Sequence, residues 1–409
     1  MKGFTTQVVH HDRLQGVEHG SVHKPVHTSV AFGYESSREL AAVFQGKQAG
    51  YTYGRQINPT VEALENKISR MEGGLRSVCF GTGMAAIGTT LFSLLRQGDH
   101  VVSSQFLFGN TNSLMNTFDA QGIKVSFADA TSVEAVESAI CEDTKLVFVE
   151  TIANPRTQVS ALREIGELCA RRNLIYVVDN TMTSPYLFQP VEVGASLIIN
   201  SLTKYIGGHG NALGGVVTET GNFDWSGFAN IYETYRSGDP RFWGITQIKK
   251  KGLRDFGAAM SAETAHHIAI GAETLALRME RQCQNAQALA TFLDAHTKVG
   301  RVYYPGLETH PQYQASRELF KYPGAILGFE LVPEVDVWAC LDRLQLAIKS
   351  TNLGDNRTLV IPVAHTIYHE MGAERRASMG IDDNLVRVSL GIEDVEDVLS
   401  DFSEALAAS

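Results

Sequence analysis

The sequence predicts an α/β protein with a mostly parallel seven-stranded sheet, helices on its faces, and a smaller C-terminal α+β domain. Three observations lead there. Short apolar strands recur near residues 77–80, 100–103, 124–128, 145–149, 174–178, 196–200 and 214–218. Helical segments separate most of them, and strands joined by crossover helices form a parallel sheet. After Gly257 the alternation gives way to a long helical segment carrying Thr274, Leu275, Leu277, Met279 and Ala286, then to mixed strands and helices. The 409 residues also exceed the roughly 250 to 300 at which a single core stops growing.

Residues 1–57 lack a sustained period and hold scattered glycines and prolines, which reads as an arm. Its start, Met1-Lys2-Gly3-Phe4-Thr5-Thr6-Gln7, leads into a histidine-rich polar stretch with no apolar core. That is unlike a secretory signal and points to the cytoplasm. Asn58-Pro59 followed by Val61, Leu64, Ile68 and Met71, then Gly73-Gly74, predicts a capped helix with proline in its first turn and a glycine stop. Ser77 to Leu95 is uncharged and long enough to suggest a membrane span. Its Gly81, Gly83, Gly88, Thr82, Thr89 and Thr90 instead fit a buried strand, turn and helix. The large domain is expected over residues 58–258 and the small one over 259–409.

A formal charge of −10 speaks against a nucleic-acid footprint, and Lys249-Lys250-Lys251 reads as a solvated patch. Cys79, Cys141, Cys169, Cys283 and Cys340 show neither C-x-x-C nor metal spacing, so free, mostly buried thiols are expected. His10-His11 and His266-His267 are sequence neighbours that a helix would point to different faces, and no H-E-x-x-H occurs. No metal is expected.

Chemistry concentrates after the strands. Lys204 follows Ala195-Ser196-Leu197-Ile198-Ile199-Asn200, in Ser201-Leu202-Thr203-Lys204-Tyr205-Ile206-Gly207-Gly208-His209-Gly210. Asp179 ends the strand Leu174-Ile175-Tyr176-Val177-Val178. Both therefore fall at the carboxyl edge of the sheet, where ligands of open α/β sheets bind. A lysine to form a Schiff base and an acid to keep a pyridine nitrogen protonated are what pyridoxal phosphate (PLP) requires. Gly81-Thr82-Gly83-Met84-Ala85-Ala86 also matches a dinucleotide fingerprint, G-x-G-x-x-A. The next strand, however, ends in Ser103-Ser104-Gln105 and lacks the acid that would bind a ribose. A phosphate held by the backbone N–H groups of Gly83 and Met84 needs no such acid. Ser201-x-x-Lys204 resembles the S-x-x-K of penicillin-recognising hydrolases, but S-D-N and K-T-G are missing. Taken singly, each element has a bland reading: S-x-x-K is common, and an Asp after a strand often caps a helix.

In these residues the chain resembles the PLP-dependent enzymes of Cys/Met metabolism, the trans-sulfuration or cystathionine γ-synthase-like family, with a pattern nearest the O-acylhomoserine sulfhydrylases. The resemblance spans nearly the whole chain. It rests on Asp179-Asn180-Thr181 and the Lys204 run, Tyr53-Gly54-Arg55 before Asn58-Pro59-Thr60, Glu150-Thr151-Ile152-Ala153-Asn154-Pro155, Tyr303-Tyr304-Pro305-Gly306-Leu307, and Leu385 to Asp394. It implies the aspartate aminotransferase-like fold, fold type I. By that resemblance Gly83, Met84, Ser201 and Thr203 hold the cofactor phosphate, Asn154 meets the ring hydroxyl oxygen, and Arg387 grips the substrate carboxylate, with Asn352 and Tyr53 also at the substrate. Tyr53 and Arg55 would reach the phosphate from a neighbouring subunit, in a homotetramer built as a dimer of dimers.

Departures from the family pattern bear on the reaction. Most relatives carry a tyrosine over the ring where this chain has Phe108, so stacking is kept and a hydroxyl acid is lost. A thiol leaving group has a pKa of about 8.5 and a carboxylate about 4.3, so the loss penalises expulsion of a thiol more than expulsion of an acyl group. Methionine γ-lyases carry a cysteine where Asn110 stands. Asn352 to Val360 and Leu253 to Ala258 resemble O-acetylhomoserine sulfhydrylases, whereas Ile361-Pro362-Val363-Ala364-His365-Thr366 departs from the family's H-P-x-x-x-T-H. The expected activity is γ-replacement on O-acetyl- or O-succinylhomoserine by a sulfur nucleophile. The alternatives are a γ-lyase, a nicotinamide (NAD) oxidoreductase, and a cofactor-free interaction scaffold. No nucleic acid or membrane partner is expected.

Overall fold

The computed structural model describes residues 3–408; Met1, Lys2 and Ser409 of the arm and C-terminus lie outside the described residues. The large sheet has seven strands: β1 (Arg76–Phe80), β2 (His100–Ser104), β3 (Lys124–Ala128), β4 (Thr144–Glu150), β5 (Ile175–Asp179), β6 (Leu197–Asn200) and β7 (Gly215–Glu219). Their order is β1-β7-β6-β5-β4-β2-β3. Only β7 runs against its neighbours, pairing antiparallel with both β1 and β6, so the sheet is mostly parallel as the sequence predicts.

The strands are legible in the sequence because both faces are covered, which makes each a nearly continuous apolar run. Successive side chains enter opposite cores. Val147 and Val149 of β4 join Val178 and Ile198 on one face, while Leu146 and Phe148 join Val177 and Ile199 on the other. Each such fully buried aliphatic side chain stabilises the fold by roughly 1.5–3 kcal/mol.

The first face is covered by α1 (Pro59–Glu72), with further helices after β4 and after Met260, and the second by α2 (Gly83–Leu94) and α3 (Gly109–Ala120). Helix α1 begins as its sequence predicts. The Asn58 side chain accepts from Thr60 N at 2.9 Å, Pro59 is in the first turn, and Gly73 ends the helix at φ +67°. Glu72 is fully buried and accepts from the side chains of Asn180 and Asn200, which fixes α1 to the ends of β5 and β6.

The segment 220–257 packs against the second face. Trp225 is fully buried, with its indole N–H on Glu219 Oε2 at 2.9 Å, and Ile245, Ile248 and Leu253 lie in the same core. A π-helical stretch, Ile248–Leu253, places Gly252 where a side chain would collide with Thr89 and Ser93 of α2.

The N-terminal arm contains two short helices that periodicity did not show, Phe4–His10 and Ser37–Phe44, of 7 and 8 residues. Two turns are too few to register a helical period. Helices α4 (Ala262–Glu273) and α5 (Leu275–Asp294) lead to a second, smaller sheet of β8 (Val299–Tyr303), β9 (Ile326–Leu331), β10 (Ile348–Lys349), β11 (Leu359–Pro362) and β12 (Leu385–Ser389), in the order β10-β11-β12-β9-β8. Cys79, Cys169, Cys283 and Cys340 are buried free thiols, whereas Cys141 is free and exposed. Among the described residues no helix is long and apolar enough to cross a membrane.

Helix α4 touches the backbone that follows Lys204. A Cβ at Gly271 would lie 2.1 Å from Gly207 O and 2.9 Å from Gly207 C. Backbone cannot yield as a side chain does, so Gly271→Ala is expected to destabilise the protein by about 2 kcal/mol. A denaturant midpoint equal to that of the wild type would refute the close approach.

Candidate active site

A cavity of about 860 Å3 opens at the carboxyl edge of the large sheet, against the small domain. It gathers Lys204, Asp179, Phe108, Gly83, Met84, Ser201, Thr203, Asn154, Asn352 and Arg387 from seven separate stretches of chain. Tyr53 and Arg55 are not among its walls. Tyr53 is exposed, and the Arg55 guanidinium donates to the carbonyl of Arg254.

Lys204 lies in the turn leaving β6, and its carbonyl-rich loop is clamped from behind. Arg278, buried on α5, donates from Nη1 to Tyr205 O at 2.6 Å and from Nη2 to Ile206 O at 3.1 Å and to Gly271 O at 2.7 Å. Gly208 has φ +73° and packs on that guanidinium so closely that any side chain would overlap it. The Lys204 ammonium donates to Asn352 Oδ1 at 2.7 Å. Burial, reinforced by the positive charge of Arg387, lowers the Lys204 pKa to about 8. The S-x-x-K reading does not survive this geometry. Ser201 N donates to Thr181 Oγ1, and the lysine turns to Asn352 and not to Ser201.

Asp179 and Glu150 end adjacent strands and are paired in register. Asp179 Oδ1 accepts from Thr181 N at 2.9 Å, and Glu150 Oε1 accepts from Phe108 N at 2.8 Å. Burial raises both carboxyl pKa values, Glu150 to about 8 with the charge of Asp179 adding to the effect. In the sequence Glu150 stands only within the stretch Glu150 to Pro155, with no role attached to it. An acid closing an apolar strand beside Asp179 was the available signal. Asn154 Oδ1 is buried in the same region without a hydrogen-bond partner.

At the other end of the cavity, α2 presents its N-terminus. The Thr82 hydroxyl accepts from Ala85 N at 3.0 Å, so the preceding turn is capped from within. Gly83 is required because a Cβ there would sit 2.9 Å from the Ser201 Cβ. That approach sets the helix start beside the Ser201 hydroxyl, with Thr203 in the same cavity wall, and a helix start with an adjacent hydroxyl is suited to an anion. Thr203 Oγ1 also accepts from Gly214 N at 2.9 Å.

Arg387 comes from the small domain, on β12. Val386 and Val388 enter the small-domain core, and Arg387 points the other way into the cavity. Its Nη2 donates to Thr351 O at 3.0 Å and Asn352 O at 2.8 Å, while Nε is buried without a partner. Burial lowers its pKa to about 10, still a cation at neutral pH.

The donor set fits pyridoxal phosphate: an amine of lowered pKa, a carboxylate, an unpartnered amide oxygen and an anion cradle share one cavity. The amine is the nucleophile only when neutral, so cofactor uptake by the apoprotein should accelerate as pH rises through about 8. An ordinary lysine would titrate near 10.4. Growth of visible absorbance after mixing reports this rate. A midpoint above about 10, or uptake with the same absorbance by Lys204→Ala, would remove the lysine from its role.

Comparison with known proteins agrees with the geometry. The family model for Cys/Met metabolism PLP-dependent enzymes matches residues 5–407. The chain is 35% identical over 408 residues to an L-methionine γ-lyase of Fusobacterium nucleatum subsp. polymorphum, covering 99% of this chain and 98% of that one. It is 34% identical over 424 residues to the O-acetyl-L-homoserine sulfhydrylase of Corynebacterium glutamicum, covering 99% and 97%. A crystal structure from Campylobacter jejuni, provisionally named an O-acetylhomoserine (thiol)-lyase, superposes with a TM-score of 0.93 at 27% identity, covering 99% of this chain and 100% of that one. That structure carries a pyridoxyl-lysine phosphate at its position 205. The nicotinamide alternative is not favoured. The chain belongs to the PLP-dependent enzymes of cysteine and methionine metabolism, on the type I fold that family uses.

Proposed function

We propose that the enzyme catalyses γ-replacement on O-acetyl- or O-succinylhomoserine, with a sulfur compound as nucleophile. The observation that carries this reading is Phe108 in the cavity wall, where the resemblance expects a tyrosine. A phenyl ring can cover the cofactor but cannot protonate a departing group. Acyl carboxylates leave without that help, since their pKa of about 4.3 lies far below the roughly 8.5 of a thiol. Asn110 in the same wall, in place of a reactive cysteine, supports the same direction. Relatives named as sulfhydrylases and as methionine γ-lyases match equally well, so a γ-lyase is the second reading.

Pyridoxal phosphate supplies an aldehyde that captures amines and a cationic ring that stores the electrons of a broken C–H bond. The residues then divide the work. Gly83, Met84, Ser201 and Thr203 would hold the phosphate, Asn154 the ring hydroxyl oxygen, and Asp179 the ring nitrogen. Lys204 would hold the cofactor and, freed when the substrate amine takes its place, would be the base that moves protons between the α- and β-carbons. Its lowered pKa makes that exchange feasible near neutrality. Arg387 and Asn352 receive the substrate carboxylate end.

The arm, residues 1–57, would project Tyr53 and Arg55 to a neighbouring subunit's phosphate. Both lie outside their own cavity, and Tyr53 is exposed. A homotetramer of such dimers, a large domain over 58–258, a small one over 259–409, and a cytoplasmic setting complete the reading.

A steady-state screen of O-acetyl- and O-succinylhomoserine against sulfide, methanethiol and cysteine tests it. Thioether or thiol products should form faster than keto acid is released from methionine, and comparable keto-acid release would overturn the choice. Phe108→Tyr should raise elimination from thiol-leaving substrates more than from acyl esters. Equal effects on both would refute the leaving-group argument.

A further inference from the structure

Glu150 is a buried acid that the proposed reaction leaves without a task. It closes β4, lines the cavity, and is only 6% exposed. Its in-register partner on β5 is Asp179, and strands in a sheet lie about 4.8 Å apart, so two carboxyls face the same cavity side by side. Like charges at that spacing do not both ionise readily in a dry site. The other charged and titratable groups facing them are Lys204, Arg387 and Tyr368.

Glu150 Oε1 also receives the N–H of Phe108, the residue that opens α3. A carboxyl at a helix start satisfies an amide that the helix cannot. The same contact fixes the phenyl ring in the cavity wall. Asp179 Oδ1 receives the N–H of Thr181, which favours its charged form as the Phe108 N–H does for Glu150, but only Glu150 has its pKa raised further by the charge of its neighbour.

We propose that Glu150 is a positioning residue: as a neutral acid it holds the Phe108 amide, and so sets the aromatic face over the cofactor ring while leaving Asp179 as the single ionised carboxylate of the pair. The inference rests on the placement of the cofactor ring between Asp179 and Phe108, but not on the choice between replacement and elimination. Burial and the neighbouring charge, which raise the pKa of Glu150 to about 8, agree with it.

Glutamine is the isostere of a neutral glutamic acid and keeps the acceptor oxygen, whereas alanine removes it. Holoprotein variants are therefore compared by visible circular dichroism of the bound cofactor and by its dissociation constant. Glu150→Ala should weaken cofactor binding about tenfold and halve the dichroic band, as expected for removing a buried hydrogen bond and leaving the Phe108 amide unsatisfied. Glu150→Gln should recover most of both signals.

Asp179→Asn, the same acid-to-amide change one strand away, should weaken binding and shift the band where Glu150→Gln does not. Damage from glutamine equal to that from alanine would mean that position 150 must be ionised, and would overturn the proposal. An alanine variant indistinguishable from wild type would do the same. A silent Asp179→Asn with a damaging Glu150→Gln would reverse the charge assignment and refute the ring placement with it. If Glu150→Ala does not fold, the comparison of the two amide variants still decides. Apoprotein melting adds a reading independent of cofactor. An acid whose pKa is raised on folding weakens the fold as pH climbs from its ordinary value toward the raised one. Glu150→Gln should therefore melt progressively higher than wild type between about pH 5 and pH 8, and a constant difference would count against a neutral Glu150.

Discussion

The amine of Lys204 is kept away from water beside a second buried cation, and much of the surrounding structure serves to tolerate that arrangement. A solvated ammonium would hold its proton at neutral pH and attack nothing. Burial together with Arg387 brings its pKa to about 8. The protonated form still needs an acceptor, which Asn352 Oδ1 provides. The loop carrying Lys204 turns its carbonyls outward, and Arg278 satisfies those of Tyr205 and Ile206 from the side remote from the cavity. The lysine can thus be desolvated without leaving its own backbone unpaired.

This arrangement needs both sheets. The large sheet contributes the ends of β4, β5 and β6, and the small domain contributes Asn352 and Arg387. The joint is fixed by close backbone approaches. Gly354, at φ +72°, packs on the backbone N of Tyr205, where a Cβ would lie 2.6 Å away. Its own N–H donates to Ser389 Oγ at 2.9 Å, two residues beyond Arg387. A single short chain of contacts therefore links the lysine loop, the Asn352 loop and the arginine strand.

The two carboxyls at the strand ends divide along the same lines. Asp179 accepts from the amide of Thr181, and Glu150 from the amide of Phe108. Burial raises both pKa values, and the charge of Asp179 raises that of Glu150 further, although they are equivalent positions on neighbouring strands. Such separation allows one acid to keep a ring cationic while the other shapes the wall over it.

Sequence alone determined the seven strands of the large sheet to within about a residue at each end, because two-sided burial writes a strand as an apolar run. It also determined which residues close those runs, and so placed Lys204, Asp179 and the Gly83 turn at one edge. The capped helix after Asn58 was legible for a local reason, since cap, proline and glycine stop are all read from neighbouring positions. What lay beyond reach was everything set by packing between distant segments. The short arm helices, the clasp of Arg278 on the lysine loop, the turn of Lys204 toward Asn352, and the contact from Glu150 to Phe108 join residues 42 to 148 positions apart, or span too few turns to show a period. No local pattern encodes such contacts. They follow from strand order and from the angle at which the small sheet meets the large one, and only the folded chain fixes those.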